Sequence, residues 1–333
     1  LSERPIFVVG CPRSGTTMLQ LMLHAHPRVA VPPETRILVQ AYRDRRQWGD
    51  LRRPKNRRAL ARWIAKGPRT QFEDLGVDKD EFIRRAVAGP GSLGSVVGLV
   101  YAMFAERHGK IRWGDKRPPY IRHLDAVLAM FPDAQIVHLI RDGRDCVASL
   151  KEMPWFKGDI SEAVYRWAEA IDIGRGHKLP PDSYYELRYE DLCADPTGTL
   201  TGLCTFIGEE YDPAMREPYR VADVVPAHKE WHVNTRQAVT TTRAGSWSSR
   251  LDPDEVSLCE TVLGSRLTAY GYELTGAPRA PRRDLTAYEK TASSWRRELR
   301  RTALVERINR FREPGPVAAL LTNTQRELAG VPK

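Results

Sequence analysis

The first apolar run, "PIFVVG", is short and continuous and ends on Gly10. That is the pattern of a strand buried on both faces of a parallel sheet. After a polar loop, "TTMLQLMLHAHP" sets Met18, Leu19, Leu21, Met22 and Leu23 along a helix that Pro27 stops. "RVAVPPE" reads as a second short strand broken by Pro32 and Pro33. Residues 80–107 carry helical spacing, "RHGKIRWGDKRPPY" reads as a polar loop, and "IRHLDAVLAMFP" as an amphipathic helix. "AQIVHLI" is a second buried strand, "RDGRD" the turn after it, and "CVASLKEM" the start of another helix. "AVYRWAEAIDIGR" is helical, "SYYELRYEDL" begins as a strand, and "TLTGLCTFIG" is a short helix. "DPDEVSLCETVLGSRLTAYGY" adds a helix with an Asp at its N-cap. From Gly276 onward Pro and Arg dominate before a basic amphipathic helix, "LTAYEKTASSWRRELRRTALVERINRF". Strands alternating with helices predict an α/β fold: a parallel sheet flanked by helices over residues 1–275, with a helical C-terminal appendage over 276–333. No internal repeat or low-complexity tract interrupts it.

The loop after the first strand changes the picture. "GCPRSGTT", Gly10 to Thr17, nearly spells the nucleotide-triphosphate loop G-x-x-x-x-G-K-[ST]. Gly10 and Gly15 are correctly spaced, which makes the sheet P-loop-like, but Thr16 stands where the phosphate-binding Lys belongs. The cation sits inside the loop as Arg13. Backbone N–H groups of "PRSGTT" and the N-terminus of the next helix suit a phosphate, and Arg13, Ser14, Thr16 and Thr17 add donors. Nothing in the loop would clamp a γ-phosphate. The strand nearest to a Mg²⁺-binding "hhhhD" pattern, "IVHLIRD", has Arg141 before Asp142.

A second anion site follows from "HLIRDGRDCVASL". Arg141 leaves the carboxyl end of a buried strand, where open α/β sheets bind ligands. Ser149, on the following helix, is near enough to share one anion with it. Two phosphate sites on one sheet imply a nucleotide phosphorylated at two places. The residues alone leave three classes open: a group transferase with such a nucleotide, a P-loop kinase or NTPase, and a non-catalytic nucleotide- or polyanion-binding module.

Composition narrows the setting. The 333 residues carry a net charge of +10, which suits an anionic partner. Zinc-finger, RNP and basic-zipper patterns are missing, so nucleic acid is not the expected partner. Five cysteines (Cys11, Cys146, Cys193, Cys204 and Cys259) form no C-x-x-C pair. Their odd number points to a reducing compartment, and a cytoplasmic location is expected. Cys11 in the loop reads either as a small residue fitting a tight turn or as a reactive thiol. The eight histidines have no metal spacing, and no metal is expected; His138, inside a strand, reads as a core or hydrogen-bonded residue. No apolar stretch approaches the roughly 20 residues of a membrane span. Leu1 is not an initiator Met, which leaves a lost upstream targeting segment open.

"VGCPRSGTTMLQLMLHAHP", "PPETRI", "DKRPPY", "FPDAQIVHLIRDGRDCVASL" and "RYEDL", in this order and over roughly residues 5–275, resemble the sulfotransferases that use 3′-phosphoadenosine 5′-phosphosulfate (PAPS). Among these the chain is most similar to the tyrosylprotein sulfotransferase-like and bacterial branch. The resemblance implies PAPS as donor and adenosine 3′,5′-bisphosphate (PAP) as product. It implies that Arg13, Ser14, Gly15, Thr16 and Thr17 bind the 5′-phosphosulfate, with Arg13 also acting in transfer. Arg141 and Ser149 would bind the 3′-phosphate, and Tyr189 would lie against the adenine.

By the same resemblance Glu34 is the general base that takes the acceptor's hydroxyl proton. Read from the residues alone, Glu34 is a helix-start carboxylate favourable to the dipole. The His that serves as base in small-molecule sulfotransferases is replaced here by Pro118, which favours Glu34. Lys116 matches the Lys that stabilises charge on the bridging oxygen. Two departures stand out. Met153 replaces an Arg one turn beyond the 3′-phosphate Ser, with Lys151 or Lys157 to compensate. Ser246 replaces a Lys before Trp247, with Arg243 as a substitute. The expected acceptor is a hydroxyl of a small molecule, a glycan or a peptide, and a homodimer is left open. The Arg-rich segment 36–69 and the basic tail read either as a cradle for an acidic partner or as solvated helix faces.

Overall fold

The computed structural model describes residues 3–226, 240 and 242–319. Five parallel strands form one sheet: β1 Ile6–Gly10, β2 Val29–Ala30, β3 Arg112–Lys116, β4 Gln135–Ile140 and β5 Tyr184–Arg188. Their order is β2-β3-β1-β4-β5. β1 is central, with Val8 in register with Lys116 on one side and Gly10 with Leu139 on the other. Its five residues are all buried, which is why the run is apolar throughout rather than alternating.

Helices cover both faces. Ile6, Val8, Val137 and Leu139 point to one face. There they meet α1 (Thr16–Ala25), α9 (Tyr189–Ala194) and α10 (Pro196–Ile207) through Leu19, Leu23, Leu192, Leu203 and Ile207. Phe7, Val9, Ile136 and Ile140 alternate to the other face. That face packs α2 (Leu38–Arg43), α3 (Pro54–Lys66), α4 (Lys79–Ala88), α5 (Leu93–Arg107), α6 (Leu124–Met130), α7 (Gly143–Lys151), α8 (Ile160–Gly176) and α11 (Pro253–Ala269). The Asp expected at the start of α11 is Asp252, which forms a capping box with Glu255.

Four elements depart from the sequence pattern. The stretch read as a polar loop contains β3, beside the central strand. Its buried polar groups are all partnered. Arg112 donates to the Ile207 carbonyl at 2.6 Å and pairs with Glu209 at 3.2 Å, and Asp115 accepts from Tyr120 at 2.6 Å. A strand built of paired charges has no hydrophobic signature. The helical spacing over 80–107 resolves into two helices, separated at Gly89-Pro90-Gly91, with Asp78 and Ser92 capping the two N-termini. Glu34 precedes the next helix by a non-helical stretch, since α2 begins at Leu38. In the Arg-rich segment, Arg45 and Arg57 are buried. Arg57 donates to the carbonyls of Leu51, Ala86 and Val87, and Arg45 pairs with Glu306 and Glu313.

The basic tail forms α12 (Arg282–Arg310), whose Tyr288 and Ala292 are buried. Its Trp295 stacks on Tyr165 of α8 at 6.3 Å and takes the Arg122 guanidinium over its ring at 4.7 Å. Residues 320–333 of the extension lie outside the described residues.

Candidate active site

The carboxyl ends of all five strands lie at one edge of the sheet. Each leads into a residue singled out by its sequence: the loop 11–15 after β1, Glu34 after β2, Lys116 ending β3, Arg141 after β4 and Tyr189 after β5. β2 and β3 lie on one side of β1, and β4 and β5 on the other. This edge is where open parallel sheets place ligands.

In the loop, Gly10 has φ 154°, and a Cβ there would stand 2.6 Å from the Leu139 carbonyl oxygen. Gly15 has φ 96° and caps α1, and a Cβ there would stand 2.6 Å from Tyr189 Cδ2. Both positions therefore demand glycine. Arg13 itself has φ 75°. The N-cap residue of α1 is Gly15, which has no side chain to cap it, so the first N–H groups of α1 point out of the helix without an intrahelical acceptor. Ser14 Oγ is buried and has no hydrogen-bond partner among the described residues. An orphaned hydroxyl beside an uncapped helix N-terminus fits an anion.

Arg13 Nε donates to Ser149 Oγ at 3.0 Å, and Arg141 Nη1 donates to the Arg13 carbonyl at 3.1 Å. Arg141 also donates to the Arg243 carbonyl and lies over the Tyr189 ring at 4.5 Å. Its Nε is buried without a partner among the described residues. Burial, and after it the Arg141 charge, holds the Arg13 guanidinium below its ordinary value, with Arg243 and Arg250 adding to the repulsion. Arg250 is paired with Glu152 at 2.7 Å and Arg141 lies 3.5 Å from Asp145, whereas the repulsion on Arg13 is what an anion beside it would relieve.

Across the loop, Lys116 is 1% exposed and pairs with Glu34, whose side chain is 32% exposed. Lys116 Nζ also donates to Thr17 Oγ1 at 3.1 Å. A carboxylate open to solvent is thus tied through one buried cation to the loop. The backbone N of Lys116 donates to Asp115 Oδ1 at 2.8 Å, and Thr35 Oγ1 bonds the Tyr101 hydroxyl at 3.1 Å. Asp115, Tyr101 and Tyr120 are fully buried together, and burial pushes the Asp115 carboxyl up to about 6.

Some supporting residues carry no sequence signal of their own. Trp167 donates from Nε1 to the Arg141 carbonyl at 2.9 Å, and its indole fills the space beside Gly143. Asp145 accepts from the backbone N–H groups of Gly245 and Trp247, each at 2.8 Å, and so fastens the Arg243 turn to α7. Arg250 bonds Ser246 Oγ at 3.1 Å. Lys151 pairs with Glu255 at 2.6 Å, and Lys157 is exposed. His138 is a hydrogen-bonded strand residue, 2.7 Å from the Tyr184 hydroxyl. His24 accepts from Val31 N, and His26 bonds both Arg28 N and the Glu210 carbonyl. Among the described residues no three His, Cys, Asp or Glu side chains converge as a metal site, and no helix is long and apolar enough to cross a membrane.

A profile of the Sulfotransferase family matches residues 5–213. Protein-tyrosine sulfotransferase 2 of Gallus gallus is 27% identical over 217 residues, 61% of this chain and 50% of that protein. The omega-hydroxy-beta-dihydromenaquinone-9 sulfotransferase of Mycobacterium bovis is 24% identical over 291 residues, 73% of this chain and 72% of that protein. The chain spans about half the length of the protein-tyrosine sulfotransferases it matches from chicken and Caenorhabditis elegans. Among solved structures, the sulfotransferase domain from the curacin biosynthetic pathway shares the fold. Its TM-score is 0.57 at 20% identity, over 82% of this chain and 100% of that one. The family profile spans more than half of the chain, from β1 through the strand ends that carry every predicted anion-binding residue but Arg243, and the chain belongs to the sulfotransferase family.

Proposed function

We propose that this chain transfers a sulfuryl group from PAPS to the hydroxyl of an acceptor. One observation carries the reading. Five strand ends bring an uncapped helix N-terminus, the orphaned Ser14 hydroxyl and a cluster of arginines to one side, and the Glu34–Lys116–Thr17 chain to the other. The nucleotide, when bound, supplies an activated sulfuryl group. Arg13, Ser14, Gly15, Thr16 and Thr17 hold its 5′ end, where only one phosphate needs binding; hence the loop has no use for the triphosphate lysine. Arg141 and Ser149 hold the 3′-phosphate, Tyr189 flanks the base, and Arg243 adds positive charge. Glu34 accepts the proton of the acceptor hydroxyl. Lys116 offers a buried positive charge where the leaving oxygen gathers negative charge.

The relatives' names put a protein tyrosine and a menaquinone-derived alcohol among acceptors in this family. The chemistry they share is a hydroxyl. Thermal unfolding is the first test. Adenosine 3′,5′-bisphosphate in the presence of a chelator should raise Tm, while ATP with Mg²⁺ should not. Stabilisation by ATP with Mg²⁺ alone would replace this reading with a kinase or NTPase, and stabilisation by heparin alone with a polyanion-binding module.

A further inference from the structure

The outer face of α12 has no counterpart in the proposed chemistry. Its inner face, through Tyr288, Ala292 and Trp295, packs on the body of the protein. Near the end of the helix the inward position is taken by Glu306, which pairs with the buried Arg45; Arg46 bonds Asn309 at 3.4 Å and Arg310 pairs with Asp125 at 3.7 Å. These ties fix the rotation of the helix. They turn Leu304, Val305, Ile308 and Phe311 outward, where they are 59%, 50%, 46% and 84% exposed. Spacing of i, i+4 and i+7 puts Leu304, Ile308 and Phe311 on one stripe. Half of the large hydrophobic side chains that stand exposed among the described residues lie on these two turns, so they form a patch and are not scattered.

Arg300, Arg301 and Arg307 edge that stripe, and no carboxylate of the described residues pairs with any of them. We infer that this face of α12 docks on an anionic lipid bilayer. The four apolar side chains enter the boundary between headgroups and acyl chains, and the arginines reach lipid phosphates with their stems lying along the apolar surface. Charge selects lipid over a second copy of the chain. An isologous contact would set the same arginines against one another, and the net charge of +10 opposes it further.

Co-sedimentation of the whole chain with phosphatidylcholine vesicles, with and without phosphatidylglycerol, tests the inference. Binding is expected only with phosphatidylglycerol and should weaken as salt rises. Arg300→Glu with Arg301→Glu should weaken it by about tenfold or more. Ile308→Ser with Phe311→Ser should weaken it by at least about tenfold. All four positions are exposed, and Tm should stay unchanged; the salt series on the unsubstituted chain makes the same test without any substitution. Failure to bind anionic vesicles at low salt overturns the inference. So does binding that ignores both double substitutions. A dimer in analytical ultracentrifugation that Ile308→Ser with Phe311→Ser dissociates would assign the face to a second copy instead.

Discussion

Arg13 Nε donates to Ser149 Oγ at 3.0 Å, joining the loop after β1 to the helix after β4. The two sites expected to hold different phosphates of one nucleotide are therefore joined by a hydrogen bond. Ser149 accepts from the Arg13 guanidinium, and Arg141 braces the same loop through the Arg13 carbonyl.

Ser149→Ala should weaken binding of adenosine 3′,5′-bisphosphate by about tenfold, the worth of one hydrogen bond to a charged group. Its effect on adenosine 5′-monophosphate should be smaller. Arg141→Lys keeps charge but loses the fork that spans two carbonyls, and should show the same asymmetry more strongly. Calorimetry with both nucleotides reads this directly. Equal losses for the two would reassign Ser149 to loop support.

Gly15→Ala should disable the loop without touching any charged group. The new methyl would meet the Tyr189 ring at 2.6 Å, at a φ of 96° that alanine disfavours. A cost of about 1–3 kcal/mol is expected. If Tyr189 is the obstacle, Tyr189→Leu should recover part of the lost Tm in the double variant, though not nucleotide affinity. A Gly15→Ala chain that binds nucleotide normally would show that the tight approach of Tyr189 to the loop is dispensable.

Much of this arrangement was legible because the chemistry sits where the backbone changes course. β1 and β4 are apolar runs ending at a glycine loop and an arginine, and both patterns survive in a single sequence. β3 was not legible. Arg112, Asp115 and Lys116 are polar letters, and the burial of Arg112 and Lys116 rests on partners nearly a hundred residues away, such as Glu209 and Thr17. Trp167 and Asp145 were missed for the same reason: each acts on a backbone group brought close only by the fold. The pairing of Lys116 with Glu34 joins two residues 82 positions apart that the family resemblance had named separately.

Asp115 should leave a signature in stability against pH. Its folded value of about 6 lies above the ordinary 3.8, because burial disfavours the charge. Below about pH 4 it is protonated in both states. Between about 4 and 6 the unfolded chain loses the proton while the folded chain keeps it, so stability falls as pH rises through that window and levels off above it. The fall is at most about 3 kcal/mol. Asp115→Asn stays neutral and lacks it, while Asn can still accept from Lys116 N. Denaturant unfolding from pH 4 to 7 should show the two chains converging or crossing as pH rises, to the gain of Asp115→Asn. A constant difference between them would mean that Asp115 is ionised throughout.

Glu34→Gln tests the base. The substitution preserves shape and leaves an amide oxygen for Lys116, which keeps its bond to Thr17. Nucleotide binding should therefore survive, because Lys116 keeps an acceptor at position 34 and the loop keeps its own donors. Lys116 becomes a buried cation without its carboxylate, and some stability should be lost with it. Transfer should fall by roughly 10²–10⁴-fold. The fall should be steepest for an aliphatic alcohol and smallest for an acidic phenol, whose proton needs the least help to leave. Lys116→Met separates the two members of the pair: losing the charge that assists the leaving oxygen should slow transfer to phenol and alcohol alike. An unaltered rate with an aliphatic alcohol in Glu34→Gln would send the search for the base elsewhere. His24 and His26 would then be poor replacements. Burial pushes the His24 imidazole down to about 3, and its Nδ1 is occupied by Val31 N. Both His26 nitrogens are held by backbone groups, Arg28 N and the Glu210 carbonyl. Glu34 is about one-third exposed to solvent and one cation away from the loop, a position from which a carboxylate can meet an incoming hydroxyl.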